Sequence, residues 1–158
     1  MEYGLTQTDD TVHVALSGII NEDAEVSLQT LASKLGGATT VTFNFASVKS
    51  INSLGVRAWV QFLRIAEEGR NVIFEECVPD VIMQINMIPS FKDKATIKSF
   101  YTNYVREDCT QCQQPQKVLI ETASLAPKSI PEPRTCATCN QEMETEELED
   151  EYFAFLLR

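Results

Sequence analysis

The sequence predicts an α/β fold, a mixed β-sheet with helices packed on it, followed by a small C-terminal unit. Three observations carry this. Over the first hundred residues, short segments of period-2 hydrophobicity alternate with segments of helical period. Gly, Pro and Asn residues fall between those segments, where turns and helix ends need them. Finally, two Cys-x-x-Cys pairs, Cys109–Cys112 and Cys136–Cys139, mark the last third, with 23 residues between them.

The elements follow in order. Tyr3 to Thr8 and Thr11 to Ser17 read as two strands of a hairpin, with Asp9-Asp10 as the turn and Val12, Val14 and Leu16 on one face. A helix is expected from about Glu22 to Leu35, capped by Asn21, with Leu28, Leu31 and Leu35 on one stripe and Gly36-Gly37 ending it. Thr39 to Phe45 is β-branched and aromatic, hence a strand. A second helix runs from about Ser53 to Glu68, capped by Ser53 or Asn52. Val56, Trp59, Val60, Leu63 and Ala66 form its apolar face, which Phe62 and Ile65 broaden. Trp59 and Phe62 read as core rather than as a partner-facing patch. Asn71 to Glu75 is a strand, Pro79 opens a third helix that ends near Pro89, and Ala95 to Tyr101 is the last strand.

The chain of 158 residues divides at this point into residues 1–101 and residues 102–158. In the second part, four cysteines at this spacing supply the ligands of a tetrahedral Zn²⁺ site: Cys109, Cys112, Cys136 and Cys139, in the manner of a zinc ribbon. Lys117 to Thr122 is the ribbon strand and prolines 127, 131 and 133 punctuate the return. Asn140 follows the second pair, where a residue able to take positive φ closes a knuckle; Gln113 follows the first. The metal reads as structural, because so short a segment buries little core of its own. Cys77, at a strand end, reads as a small buried hydrophobe.

Charge narrows the function classes. The net charge is −10, and residues 101–158 carry 5 Lys/Arg against 11 Asp/Glu. Zinc ribbons that bind nucleic acid need a positive surface, so no nucleic-acid partner is expected. No apolar run is long enough for a membrane helix, and no signal peptide opens the chain, so a cytoplasmic protein is expected. His13 is the only histidine and lies mid-strand; no phosphate-binding glycine loop and no paired catalytic carboxylates stand out, so no enzyme is expected. Seven of the ten residues from Glu142 to Glu151 are acidic, and Tyr152 to Leu157 that follow are nearly all apolar. Whether this tail covers the ribbon, the first domain, a partner or a second copy stays open at the level of sequence.

Two segments carry a family resemblance over about residues 1–100. One is strand, loop and helix start, Val41 to Val56; the other is strand, Pro turn and helix, Val72 to Ile85. Their order and spacing resemble the STAS domain, the fold of bacterial anti-sigma factor antagonists. In that family the helix-start loop reads Asp-Ser-Ser-Gly or Asp-Ser/Thr-x-Gly, and its hydroxyl is often phosphorylated by a partner kinase, which breaks the complex. Here the stretch is Asn52-Ser53-Leu54-Gly55, with Asn52 in place of the acid and Leu54 in place of the hydroxyl before Gly. The resemblance implies a non-catalytic regulatory module in signal transduction. Its partner would be a kinase-like anti-sigma factor or similar regulatory protein, met at Ser50, Asn52, Ser53, Leu54 and Gly55 and the following helix, with Ser53 as the candidate phosphorylation site. The bland reading gives Ser53 only a capping role and Gly55 only close packing. Two alternatives stand beside it: an assembly subunit or homo-oligomer using the zinc ribbon as a second interface, and a sensor of a small ligand or nucleotide.

Overall fold

A computed structural model of the chain describes residues 1–106, 109–110 and 114–158. Among these, the first sheet has the strand order β1-β2-β3-β4-β5. Its strands are β1 (Glu2–Thr8), β2 (Thr11–Ile20), β3 (Thr40–Ile51), β4 (Asn71–Glu75) and β5 (Thr96–Ile97). The hairpin β1–β2 is antiparallel, with Thr8 opposite Thr11 across the two-residue turn, and Asp9 takes φ +52 there. The pairs β2–β3, β3–β4 and β4–β5 are parallel. Helices α1 (Ala24–Lys34), α2 (Ser53–Ala66) and α3 (Pro79–Met87) make the crossovers that parallel pairing requires.

Strand alternation works as read. Val12, Val14, Leu16, Val41, Phe43, Phe45, Val72 and Phe74 are buried on the helix-facing side, against Leu28 and Leu31 of α1 and Trp59, Phe62 and Leu63 of α2. Helix α1 begins later than expected: Asn21 is not its cap but accepts the Asp23 N–H in the preceding turn (3.2 Å). Ile65, expected to broaden the apolar face of α2, is 49% exposed.

The largest departure in the first sheet is β3, which continues past Phe45 to Ile51. Its register against β2 slips twice: Ala15 faces Asn44 but Ser17 faces Ser47, and Gly18 faces Val48 but Ile19 faces Ser50. Each slip places an extra residue in β3, and Gly18 (φ +82) accommodates the second. Such bulges bend a strand and re-aim its end. They also break the period-2 pattern, so alternation alone ends the strand too early.

The stretch expected as one strand, Ala95 to Tyr101, is two. Strand β5 completes the first sheet, and β6 (Ser99–Val105) starts a second, antiparallel sheet with β7 (Gln116–Glu121), β8 (Arg134–Thr135) and β9 (Glu142–Thr145), in the order β7-β6-β9-β8. The expected division at residue 101 thus falls inside β6. The two sheets are sewn together at Cys77. Its N–H donates to Ser99 O (3.1 Å) and its carbonyl accepts the Tyr101 N–H (2.8 Å). A polar cluster reinforces the seam. Asn44 Nδ2 donates to Glu75 Oε1 (3.2 Å) and Glu76 Oε1 (3.0 Å), and Tyr101 OH donates to Glu76 Oε2 (2.8 Å). Two short helices, α4 (Glu149–Tyr152) and α5 (Ala154–Leu157), end the chain on α3.

Candidate functional site

The start of α2 is built by the end of β3. Asn52 sits between them with extended backbone, its N–H donating to Ile20 O (3.1 Å) and its side-chain Oδ1 accepting the Gly55 N–H (2.8 Å). Asn52 is therefore the N-cap, and Ser53, given a capping role from sequence, is the first helical residue and exposed. Asn52 and Ser53 are both good capping residues, and local sequence does not rank them. The bond from Asn52 N–H to Ile20 decides in favour of Asn52.

The five expected contact residues separate into three settings. Ser50 belongs to β3, paired opposite Ile19, and is half-buried. Asn52, Ser53 and Leu54 are exposed, Leu54 at 55%. Gly55 is buried against backbone: a Cβ there would lie 2.0 Å from Ile20 O and 2.5 Å from Ile20 C. Close packing is the role expected for Gly55, and it also fixes where Ser53 and Leu54 emerge. Beside them, Asn52 Nδ2 donates to Glu22 Oε2 (3.0 Å), which holds the Glu22 carboxyl below the usual carboxylate range. A shallow depression lined by Glu22, Leu54, Arg57 and Ala58 opens next to this turn. It adjoins a more apolar groove between α1 and α2, lined by Leu28, Ala32, Phe62 and Ile65. Nothing in the sequence singled out that groove, because its walls come from two helices whose relative placement only the fold defines. Trp59 and Phe62 are core, at 0% and 4% exposure. His13 is exposed on β2, away from the helix-facing side.

The second candidate site is the cysteine cluster. Cys136 is buried with Tyr104 and Met143, and Cys109 and Cys139 pack against the same group. Cys112 lies outside the described residues. Cys136 Sγ accepts the Thr138 N–H (3.4 Å), and the Asn140 N–H donates to Cys136 O (2.9 Å) with Asn140 at φ +56. Asn140 thus has the positive φ expected after the second pair, and one N–H of the turn, that of Thr138, faces the sulfur. Gln116 Nε2 approaches Cys136 Sγ at 3.9 Å. Among the described residues no three His, Cys, Asp or Glu side chains are set to hold a metal ion. Cys77 is apart from this cluster, fully buried at the seam of the sheets, and burial pushes its thiol up. As expected for a small core residue, the charged form is strongly disfavoured there.

The acidic–apolar tail covers the first domain. Tyr152 and Phe153 are buried, Phe153 and Phe155 pack on Phe100 (ring centroids 6.2 and 5.0 Å), and Tyr152 OH donates to Tyr101 O. Asn86 Nδ2 donates to the carbonyls of Glu151 (2.9 Å) and Tyr152 (2.8 Å). Among the described residues no helix is long and apolar enough to cross a membrane.

No protein-family model matches the chain, and no curated protein matches it. Solved structures do. The anti-sigma factor antagonist SpoIIAA in its unphosphorylated form aligns over 61% of this chain and 86% of its own, at 22% identity and a TM-score of 0.45. The Bacillus cell fate determinant SpoIIAA in its phosphorylated form aligns over 61% and 90%, at 21% identity and a TM-score of 0.42. A structure described as Mglu aligns over 45% of this chain at 25% identity and a TM-score of 0.41, and the match spans only 18% of that protein.

Proposed function

We propose that this protein is a non-catalytic regulatory module that binds another protein through the start of α2. The observation that carries the reading is the exposed pair Ser53–Leu54, held by the Asn52 cap and the Gly55–Ile20 contact beside an open groove. An exposed Leu at a rigid turn is an anchor that a partner pocket can take up without reordering the chain. The resemblance of residues 41–56 to the STAS pattern supports the same surface and a kinase-like regulatory partner. Phosphorylation of Ser53 would place a dianion at the positive end of α2, four residues before Arg57 on the same helix face and next in sequence to Asn52, which binds Glu22. The new charge would meet the partner where Leu54 docks, so modification would release the complex.

Affinity capture from source lysate tests this with wild type, Leu54→Glu, Ser53→Asp and, as a control on the far side of the sheet, His13→Ala. The expected result is one set of regulatory partners held by wild type and His13→Ala and lost by the other two. Equal recovery by all four overturns the reading.

For the cysteines, we propose a structural Zn²⁺ held by Cys109, Cys112, Cys136 and Cys139. Its support is the Cys136–Asn140 turn with its N–H···S contact, and the packing of Cys109 and Cys139 on Cys136. Bound zinc would supply folding free energy to a segment with little core and leave no open coordination position for chemistry. Elemental analysis of the purified protein is expected to find about one zinc per chain, and the Cys136→Ser variant to lose it. Wild type without zinc, even after zinc is supplied, refutes the site.

A further inference from the structure

Sheet edges offer unpaired main-chain hydrogen-bonding groups, and protein chains protect them with short strands, charge, proline or cover. Among the described residues the two sheets end in four edge strands, and three are protected. Strands β5 and β8 have 2 residues each, and β7 carries Lys117 and Glu121. Strand β1 is different. It has 7 residues, all exposed except the half-buried Tyr3, and it runs in unbroken register with β2 on one side. It holds no proline and no lysine, and its single charge, Glu2, lies at one end.

The ladder fixes which groups of β1 are free. Thr8 and Thr11 flank a two-residue turn, so they exchange both main-chain hydrogen bonds, and every second pair along the ladder does the same. Glu2, Gly4, Thr6 and Thr8 thus bond to β2, while the N–H and C=O of Tyr3, Leu5 and Gln7 point outward. Side chains alternate as well. Leu5 begins the row Leu5-Val14-Phe43-Phe74-Ile97, which crosses the sheet on its helix-facing side. The last four are at 6% exposure or less, whereas Leu5 is 37% exposed. The core row therefore reaches the edge of the sheet with its last member uncovered.

We infer that β1 pairs with β1 of a second copy of this chain, antiparallel and centred on Leu5. A two-fold axis there sets Leu5 opposite Leu5 and Tyr3 opposite Gln7, so the outward groups of each copy meet those of the other in hydrogen-bonded pairs. Glu2 falls opposite Thr8, and no like charges meet across the strands. The apolar row then continues from one copy into the next. A strand of another sequence would have to match this alternation and this charge offset; β1 matches its own. The start of α2 follows β3, two strands in from β1, and stays open in each copy. One strand pair is small beside the roughly 1,600 Å² of a standard interface, so association in the micromolar range is expected.

Sedimentation velocity on the full chain, with amide hydrogen exchange read residue by residue, tests this. Wild type is expected to pass from monomer to dimer as its concentration rises to about 100 µM. Over that range the amides of Tyr3, Leu5 and Gln7 should slow several-fold, while those of Gly4 and Thr6, already bonded to β2, change little. Leu5→Lys sets two ammonium groups opposite each other and should raise the dissociation constant at least about tenfold. Gln7→Pro removes an outward N–H at an exposed edge position and should weaken the dimer likewise. Circular dichroism reports whether each variant is folded, and if one is not, the other decides. A wild type that stays monomeric overturns the inference. So does a dimer that the folded variants form as readily as wild type, because its copies then meet elsewhere.

Discussion

Gly55→Ala is expected to destabilise the fold by about 3 kcal/mol, the upper end of what overpacking costs. The reason is geometric. The added methyl would sit 2.0 Å from Ile20 O and 2.9 Å from Asn21 N, and both are backbone atoms. A flexible side chain could swing aside, but this backbone is pinned. Ile20 pairs with Ile51 at the end of the sheet, and its carbonyl accepts the Asn52 N–H (3.1 Å). Relief must come from lifting the first turn of α2 off the sheet, which also breaks the Asn52 cap, itself worth about 1 kcal/mol. Urea denaturation should show a lower midpoint with an unchanged slope. Gly4→Ala is the matched control: a methyl there meets nothing within 4 Å, and it should leave the midpoint nearly where it was. If the two variants unfold alike, the close approach of α2 to Ile20 does not matter to the fold. Because the same contact sets where Ser53 and Leu54 emerge, Gly55→Ala should also weaken partner capture under conditions where the protein is still folded.

That contact shows where sequence reading succeeds and where it stops. Asn52-Ser53-Leu54-Gly55 before an apolar stripe announces a helix start, because capping chemistry and helical period are both local. Which residue caps is set by Ile20, thirty-two positions upstream of Asn52, and no local rule reaches it. Ser50 looks like loop because two bulges scramble the alternation of β3 after Asn44; the extra residues are defined only by the register of β2. Strand β6 has the alternation of a strand, and its burial follows, but alternation does not say which sheet a strand joins. Its partners β7 and β9 lie beyond Gln116 and Glu142. The apolar tail was legible as a segment that must be covered, and its cover was not. Phe100 and Asn86 are fifty or more residues away, and neither stands out in its own neighbourhood. Cysteine spacing suggests ligands directly, since metal chemistry depends on the residue types themselves, and Asn140 takes the positive φ expected of the residue after the second pair.

Trp59→Ala should be the most damaging substitution in the first domain, at about 5 kcal/mol. Removing a buried large aromatic ring costs about 3–5 kcal/mol through lost transfer energy and the cavity left behind. Here the ring is at 0% exposure and lies at the centre of an aromatic cluster. Phe43 (5.2 Å), Phe45 (5.4 Å), Phe62 (5.4 Å) and Phe74 (5.8 Å) surround it, and Phe91 stacks on it at 5.7 Å. A cavity in the middle of so many rings cannot close without moving strands β3 and β4 and helix α2 together. A second cost comes from polarity. Trp59 Nε1–H donates to Phe91 O (2.9 Å), and Phe91 is itself buried, so truncation strands a carbonyl away from water, worth roughly 1–3 kcal/mol. Trp59→Phe separates the two costs: it keeps most of the ring contacts, loses the donor, and should fall by about 1–2 kcal/mol. Since a domain of this size has a total stability of only about 5–15 kcal/mol, Trp59→Ala should remove between about a third and all of it. Circular dichroism through a urea titration reads both variants, as the chain has no other tryptophan to report by fluorescence. A Trp59→Ala protein that unfolds within about 1 kcal/mol of wild type would mean that the ring is not the keystone of this core, and would return Trp59 to the partner-facing role that a helix-face tryptophan also permits.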